Sequence, residues 1–383
     1  MDFSAMVLTM YVAHQDGPDT DEQVLDVAVE QSLASAELGF NPWFTEHHFR
    51  GPWHSNPIQF ASYIAPQIPP ELYLGFGVLS TPYYNPVRLV ESMNLLDQLM
   101  RGRTLFGIGS GFPGLEPAGM GLQADYHGSG KAAQDTLEIM QRLWDFKTGD
   151  PEYVFKTQAH QGAIRRRVVP APYRKHHPTV IRTASRDASL IAAAKNGWPV
   201  FLGATGATAT PAEQWRTYRA ALAQQNHSAE VVAECLRWST VDWLSVVVAD
   251  SDAEAQRRLD LARAERTAMR QRYSAQHGPL HGPLSSRARP GPSSAAAFAA
   301  GGDMMDSIVG NPDTVARRVQ DLVDMGVNHL LLRFVGEWTG ETRWISETSM
   351  KLFALEIAPK FRLIAPRRDL AAFDPADSFA AQS

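Results

Sequence analysis

The stretch Pro42-Trp43-Phe44-Thr45-Glu46-His47-His48-Phe49 joins a short apolar run to a carboxylate and two imidazoles. The apolar run reads as a β-strand. A helical segment precedes it, and Gly39-Phe40-Asn41 separates the two. Titratable groups at the C-terminal end of a strand, in a chain that alternates strands and helices, stand where α/β barrels carry their reactive residues. An imidazole gives or takes a proton near neutral pH without a large shift.

The alternation extends in both directions. Residues 3–10, 42–46, 72–79, 104–108, 179–182, 199–202, 238–249 and 328–334 read as strands. Residues 21–38, 86–100, 129–146, 185–196, 211–224, 252–273 and 342–357 read as helices, and another begins near Pro312, where a missing N–H costs little. Successive strand and helix units without a break in composition predict an α/β fold, a (β/α)8 TIM barrel with insertions, over residues 1–365. A doubly wound sheet accommodates so many units less well. Residues 150–175, with Tyr153-Val154-Phe155 and Val168-Val169-Pro170, read as a hairpin-like excursion. Residues 274–303 are rich in Gly, Pro, Ser and Ala and read either as a lid or as a plain surface insertion. The tail over 366–383 reads as frayed.

Composition narrows the function classes. Thirty-six basic against 41 acidic residues give a net charge of −5, which carries no nucleic-acid footprint. Arg165-Arg166-Arg167, the tight basic run, reads as a solvated hairpin face. Cys235 is the single cysteine, so intrachain disulfides and thiolate metal clusters are excluded. That fits a reducing cytoplasm. The N-terminus lacks the basic region of a signal peptide, and no apolar stretch is long enough to span a bilayer, so no membrane association is expected. Glu46, His47, His48 and His54 lack H-E-x-x-H spacing, and adjacent histidines on a strand face opposite ways; no metal is expected. Gly109-Ser110-Gly111-Phe112-Pro113-Gly114 fits G-x-G-x-x-G, but Pro113, Gly114, Pro117 and Gly119 oppose the helix a dinucleotide fingerprint requires.

The chain resembles the bacterial luciferase-like flavin monooxygenases. The resemblance is carried by Glu37-Leu38-Gly39-Phe40 running into Glu46-His47-His48-Phe49, then by Asn85-Pro86-Val87-Arg88, Leu95-Leu96-Asp97-Gln98, Gly102-Arg103 and Phe106-Gly107-Ile108-Gly109. It returns as Val309-Gly310-Asn311-Pro312 and Met325-Gly326-Val327-Asn328. It implies a barrel that binds reduced FMN at the C-terminal face of the strands and activates O2 as a flavin peroxide to oxygenate an organic small molecule. A separate NAD(P)H:flavin reductase and a homodimer built on the helices after the second and third strands are implied with it.

Residue by residue, the resemblance makes His47 the active-site histidine, with Glu46 orienting an imidazole or pairing with an arginine. Gly77-Val78 matches a pair whose backbone lies under the isoalloxazine. Gly109 stands where the luciferase has a reactive cysteine, and Ser110 where it has a phosphate-binding arginine. Glu116 matches an acidic residue beyond that loop. Ser185, Arg186 and Ser189, at the start of a helix, match the phosphate seat, and a helix N-terminus favours an anion. Tyr83 and Tyr84, just after the third strand, are candidates for the substrate pocket together with Glu116, and Arg333 for a reach to the cofactor or a salt bridge. Two other readings compete. One is a deazaflavin-dependent hydride-transfer oxidoreductase, whose relatives tend to show Asp-His where this chain has Glu46-His47-His48. The other is a non-catalytic flavin-binding subunit, whose relatives tend to lose the histidine.

Overall fold

Short apolar strands and amphipathic helices wind once around a closed ring. The computed structural model describes residues 1–7, 18–49, 55–111, 115–128, 130–173, 175–184, 186–203, 209–277 and 307–362. The strands are β1 (Asp2–Val7), β2 (Asn41–Phe44), β3 (Leu74–Ser80), β4 (Thr104–Gly109), β5 (Tyr153–Lys156), β6 (Gln161–Ile164), β7 (Thr179–Thr183), β8 (Val200–Leu202), β9 (Thr240–Val248), β10 (Ser307–Gly310) and β11 (His329–Phe334). The helices are α1 (Pro18–Glu37), α2 (Pro57–Ile64), α3 (Pro86–Leu99), α4 (Leu115–Gly119), α5 (Ala124–Gly128), α6 (Lys131–Asp145), α7 (Asp187–Lys195), α8 (Pro211–Ala223), α9 (Ala229–Trp238), α10 (Asp252–His277), α11 (Pro312–Asp324) and α12 (Arg343–Leu352).

Eight parallel strands close the barrel in the order β1-β2-β3-β4-β7-β8-β9-β11. The long strand β9 makes the closure. It pairs with β11 along one edge; its other edge pairs first with β8, at Thr240 and Phe201, and higher up with β10, from Ser245 to Val248. The expected (β/α)8 barrel is therefore the observed architecture. The β5–β6 hairpin is antiparallel and stands outside the ring. Asn94 and Gln98 of α3 donate to the Pro170 and Ala171 carbonyls, which ties the end of this excursion to the barrel.

Strand alternation divides the apolar residues between two surfaces. Met6, Trp43, Leu105, Ile181, Phe201, Trp238 and Leu331 fill the interior. Val7, Phe44, Phe76, Phe106 and Val180 face the helices. Two strand glycines make room for this filling: a Cβ on Gly75 would overlap the Trp43 indole, and one on Gly107 would overlap the Phe76 carbonyl oxygen. The lower end is closed by buried His329, between the Trp43 and Trp238 rings at 5.5 and 5.4 Å. Its Nδ1 donates to the Trp238 carbonyl at 3.3 Å, and its Nε2 accepts from Ser4 Oγ at 2.7 Å.

Helix starts follow one local rule. Asn56-Pro57, Asn85-Pro86, Thr210-Pro211 and Asn311-Pro312 each place a side-chain cap before a proline in the first turn. Helices α2, α4, α5 and α9 and strand β10 are additional to the elements anticipated from sequence. Residues 8–10 of the first expected strand, most of the 274–303 insertion and the 366–383 tail lie outside the described residues; α10 continues to His277. Among the described residues no helix is long and apolar enough to cross a membrane, and no group of His, Cys, Asp and Glu could hold a metal ion.

Candidate active site

Beyond β2 the chain leaves the sheet but stays buried through Thr45-Glu46-His47-His48. Alternation then sends the two imidazoles to different carboxylates. His47 Nδ1 lies 2.9 Å from Glu116 Oε1, and the residues are 8% and 1% exposed. The other oxygen of Glu116 accepts from Tyr83 Oη at 3.3 Å. His48 Nε2 lies 2.8 Å from Glu46 Oε1, while Glu46 Oε2 accepts from Tyr84 Oη at 2.8 Å and from the Ser80 N–H at 3.1 Å. Each adjacent pair, His47-His48 and Tyr83-Tyr84, thus divides between two imidazole–carboxylate–phenol units.

The two units differ in chemistry. Burial, with the Glu46 charge and hydrogen bond added to it, raises the Tyr84 pKa far above the ordinary phenol range. The His48–Glu46–Tyr84 unit is closed on itself and anchors the turn after β3. In the His47 unit a Nδ1–H donated to the carboxylate fixes the tautomer and orientation of the imidazole and makes Nε2 its basic nitrogen. His48 also packs edge-on to Tyr83, with centroids 5.7 Å apart. Phe49 follows at φ +58°, with its ring 60% exposed and lying over Gly119.

Beside these units β3 and β4 present bare backbone. The Gly77–Val78 peptide is cis. A Cβ on Gly109 would stand 2.8 Å from Val78 Cγ2 and 3.4 Å from Thr183 Oγ1, so the ends of β3, β4 and β7 converge there. A flat ring system suits such a glycine-lined floor. Ser110 follows, exposed, with its carbonyl 2.7 Å from His127 Nε2.

The turn from β7 into α7 holds the other expected residues. Arg186 is exposed at the N-cap of α7, and its backbone carbonyl accepts from the Ser189 N–H at 2.9 Å. Gln214 donates to the Ala184 carbonyl and accepts from the Gly203 N–H, which fixes the turn from below. Ser185 lies outside the described residues.

Two residues near these elements were not singled out from sequence. Arg182, near the end of β7, is held below the ordinary guanidinium range by burial alone, with no carboxylate partner among the described residues. Its signal was a lone cation in an otherwise apolar strand run. His127 had no sequence signal. Arg333 ends β11 and shares Glu337 with Arg266, at 3.9 and 3.4 Å. The glycine floor fits the flat ring system of a flavin, and the exposed cation Arg186 at the start of α7 fits its phosphate.

Residues 6–329 match the luciferase-like monooxygenase family. The chain is 26% identical to limonene 1,2-monooxygenase of Rhodococcus erythropolis, over 94% of this chain and 88% of that protein. It is 25% identical to the alkanal monooxygenase alpha chain of Photorhabdus luminescens, over 63% of this chain and 64% of that protein. Against an uncharacterised protein of Sinorhizobium fredii the match spans 35% of that protein's length. Three solved structures share the fold. A monooxygenase from Streptomyces bottropensis aligns with TM-score 0.71 and 20% identity, over 94% of this chain and all of that one. The oxygenating constituent of 3,6-diketocamphane monooxygenase from Pseudomonas putida, in complex with FMN, aligns with TM-score 0.66 and 17% identity, over 94% and 99%. An F420-dependent secondary alcohol dehydrogenase aligns with TM-score 0.62 and 12% identity, over 94% and 99%. With the barrel, the strand-end imidazole and this family match in place, the chain belongs to the luciferase-like monooxygenases.

Proposed function

We propose that this chain is an FMNH2-dependent monooxygenase that places one oxygen atom of O2 in an organic small molecule and releases the other as water. The observation that carries the reading is His47 held by buried Glu116 next to a glycine-lined floor. Bound reduced flavin would supply the two electrons that activate O2. Gly77, Val78 and Gly109 would lie against its ring system. Ser110, Ser185, Arg186 and Ser189 would hold its phosphate. Nε2 of His47 would give or take the proton that decides whether oxygen reaches substrate or leaves as hydrogen peroxide, while Glu116 keeps the imidazole oriented. Tyr83 would hold Glu116, and Glu46 with Tyr84 would fix the wall behind His48. Oxygen transfer without loss of peroxide requires water to be excluded, and the buried setting of His47 favours that.

Reduced flavin would come from a separate NAD(P)H:flavin reductase, and a reducing cytoplasm suits the single thiol. Exposed Tyr63 on α2 with Leu95 and Leu99 on α3 support a homodimer through these helices. The likeness to the F420-dependent enzyme is one of fold alone. Deazaflavin hydride transfer is therefore the second reading, and a non-catalytic flavin-binding role sits poorly with an imidazole–carboxylate pair preserved at the mouth.

Anaerobic titration separates these readings. The protein should bind reduced FMN and, after oxygen is admitted with substrate present, consume O2 without equivalent hydrogen peroxide. Selective binding of a deazaflavin, or full release of peroxide with every candidate substrate, would count against the first reading.

A further inference from the structure

His127 lies on the five-residue helix α5, outside every sequence motif discussed above. Its Nε2 is 2.7 Å from the Ser110 carbonyl oxygen. A carbonyl only accepts, so Nε2 carries the proton and donates. Burial lowers the pKa of the imidazole against the opposing pull of that bond and of the Glu116 charge, so the neutral ring does the donating at physiological pH. The same ring stacks on Tyr83, with centroids 6.1 Å apart and planes 19° apart. Tyr83 in turn donates to the carboxylate that holds His47.

Three consecutive residues, the last of β4 and the two after it, are thereby fixed from three directions. Thr81 Oγ1 donates to the Gly109 carbonyl at 3.2 Å. His127 donates to Ser110. Gly111, at φ +76°, approaches the Tyr83 hydroxyl so closely that a Cβ would overlap it. Two of these restraints run through His127 and the ring stacked on it. A serine hydroxyl stands one bond beyond Cβ, so where Ser110 can offer it is set by the backbone and not by side-chain reach. The glycines on either side do not resist backbone movement by themselves.

We propose that His127 is a positioning residue with two separable roles. Its Nε2–H bond fixes the 109–111 turn for the flavin, and its stacked face fixes Tyr83 for Glu116. The proposal rests on the FMN reading above and deepens it.

Two substitutions divide the roles. H127F keeps an aromatic face and loses the donor; H127Q keeps a donor and loses the ring. Fluorescence titration with oxidised FMN should show H127F binding about tenfold more weakly, the loss of roughly one hydrogen bond. H127Q should stay within about threefold of wild type. In turnover, H127Q should move the acid limb of the kcat/KM profile against pH, because Tyr83 loses the ring stacked on its face, while H127F leaves that limb in place. Circular dichroism and thermal unfolding on each variant establish that it is folded. Folded H127F with wild-type FMN affinity overturns the first role, as does equal weakening by both variants. An unmoved acid limb in H127Q overturns the second, and remains decisive if H127F fails to fold. A wild-type chain that binds no FMN but does bind a deazaflavin would sink the FMN reading instead, and the same titrations with the deazaflavin would then judge His127.

Discussion

Glu116 Oε1 lies 2.9 Å from His47 Nδ1, across 69 residues of chain, and both side chains are buried. A buried carboxylate at that distance gives the imidazole one tautomer and one orientation, with Nε2 as the basic nitrogen. Replacing His47 by Ala should suppress product while FMN affinity stays within about twofold, and E116Q should lower coupled product formation by about 10²-fold, the lower end for general acid–base catalysis. Product formed per O2 consumed, with hydrogen peroxide measured in parallel, checks both. Unchanged coupling in E116Q would remove Glu116 from the reaction.

Glu46 predicts a different outcome. It accepts from His48, Tyr84 and the Ser80 backbone, so its removal leaves three buried donors without an acceptor. Glu46→Ala should cost about 3 kcal/mol of stability, and Tyr84→Phe about 1 kcal/mol, by urea unfolding. Turnover per folded molecule should fall far less than in E116Q. If E46A were stable and inactive, the roles given to the two carboxylates would be reversed.

The choice between these carboxylates shows where the sequence stops being legible. Strand alternation in Trp43-Phe44 and the position of His47 at a strand end are local properties, so the barrel and the imidazole could be read directly. Glu46 is adjacent to His47 and was the natural partner, yet alternation turns the neighbours apart, and Glu46 meets His48. Glu116 reaches His47 only because the segment after β2 and helix α4 meet at the mouth, a tertiary fact with no trace in residue spacing. Helix α2 was overlooked because its eight residues are too few to show a 3.6 period clearly, although Asn56-Pro57 had the form of a start signal. Strand β10 is four residues long and exists by pairing with the upper half of β9.

Barrel filling makes one glycine far less replaceable than others. A Cβ on Gly107 would overlap a backbone oxygen, at Phe76, which cannot rotate away, and would stand 2.8 Å from Phe201 Cε2. Gly107→Ala should therefore cost about 3 kcal/mol or more in chemical denaturation. Gly128→Ala meets nothing within 4 Å and should change stability by no more than about 0.5 kcal/mol. Equal effects at the two positions would mean that the interior is looser than its packing indicates.

The floor of the barrel carries a pH dependence of its own. Burial pushes His329 down to about 4, against the partial opposition of Asp2 and of its bond to the Trp238 carbonyl. An unfolded histidine titrates near 6.5. Between those values the unfolded chain binds a proton that the folded chain refuses, so this contribution is fully present above about pH 6.5 and is lost as pH falls toward 4. A shift of that size corresponds to about 3 kcal/mol. His127, His160 and His177 are lowered in the same direction by burial, so the wild-type curve sums several groups. His329→Asn isolates one of them: the difference in unfolding free energy between wild type and variant should shrink steadily from pH 7.5 to pH 4.5. Urea titrations at five or so pH values give that difference directly. A difference that stays flat would mean that the His329 proton is not excluded by the fold, and that Ser4 and the two indoles leave room for a charged ring.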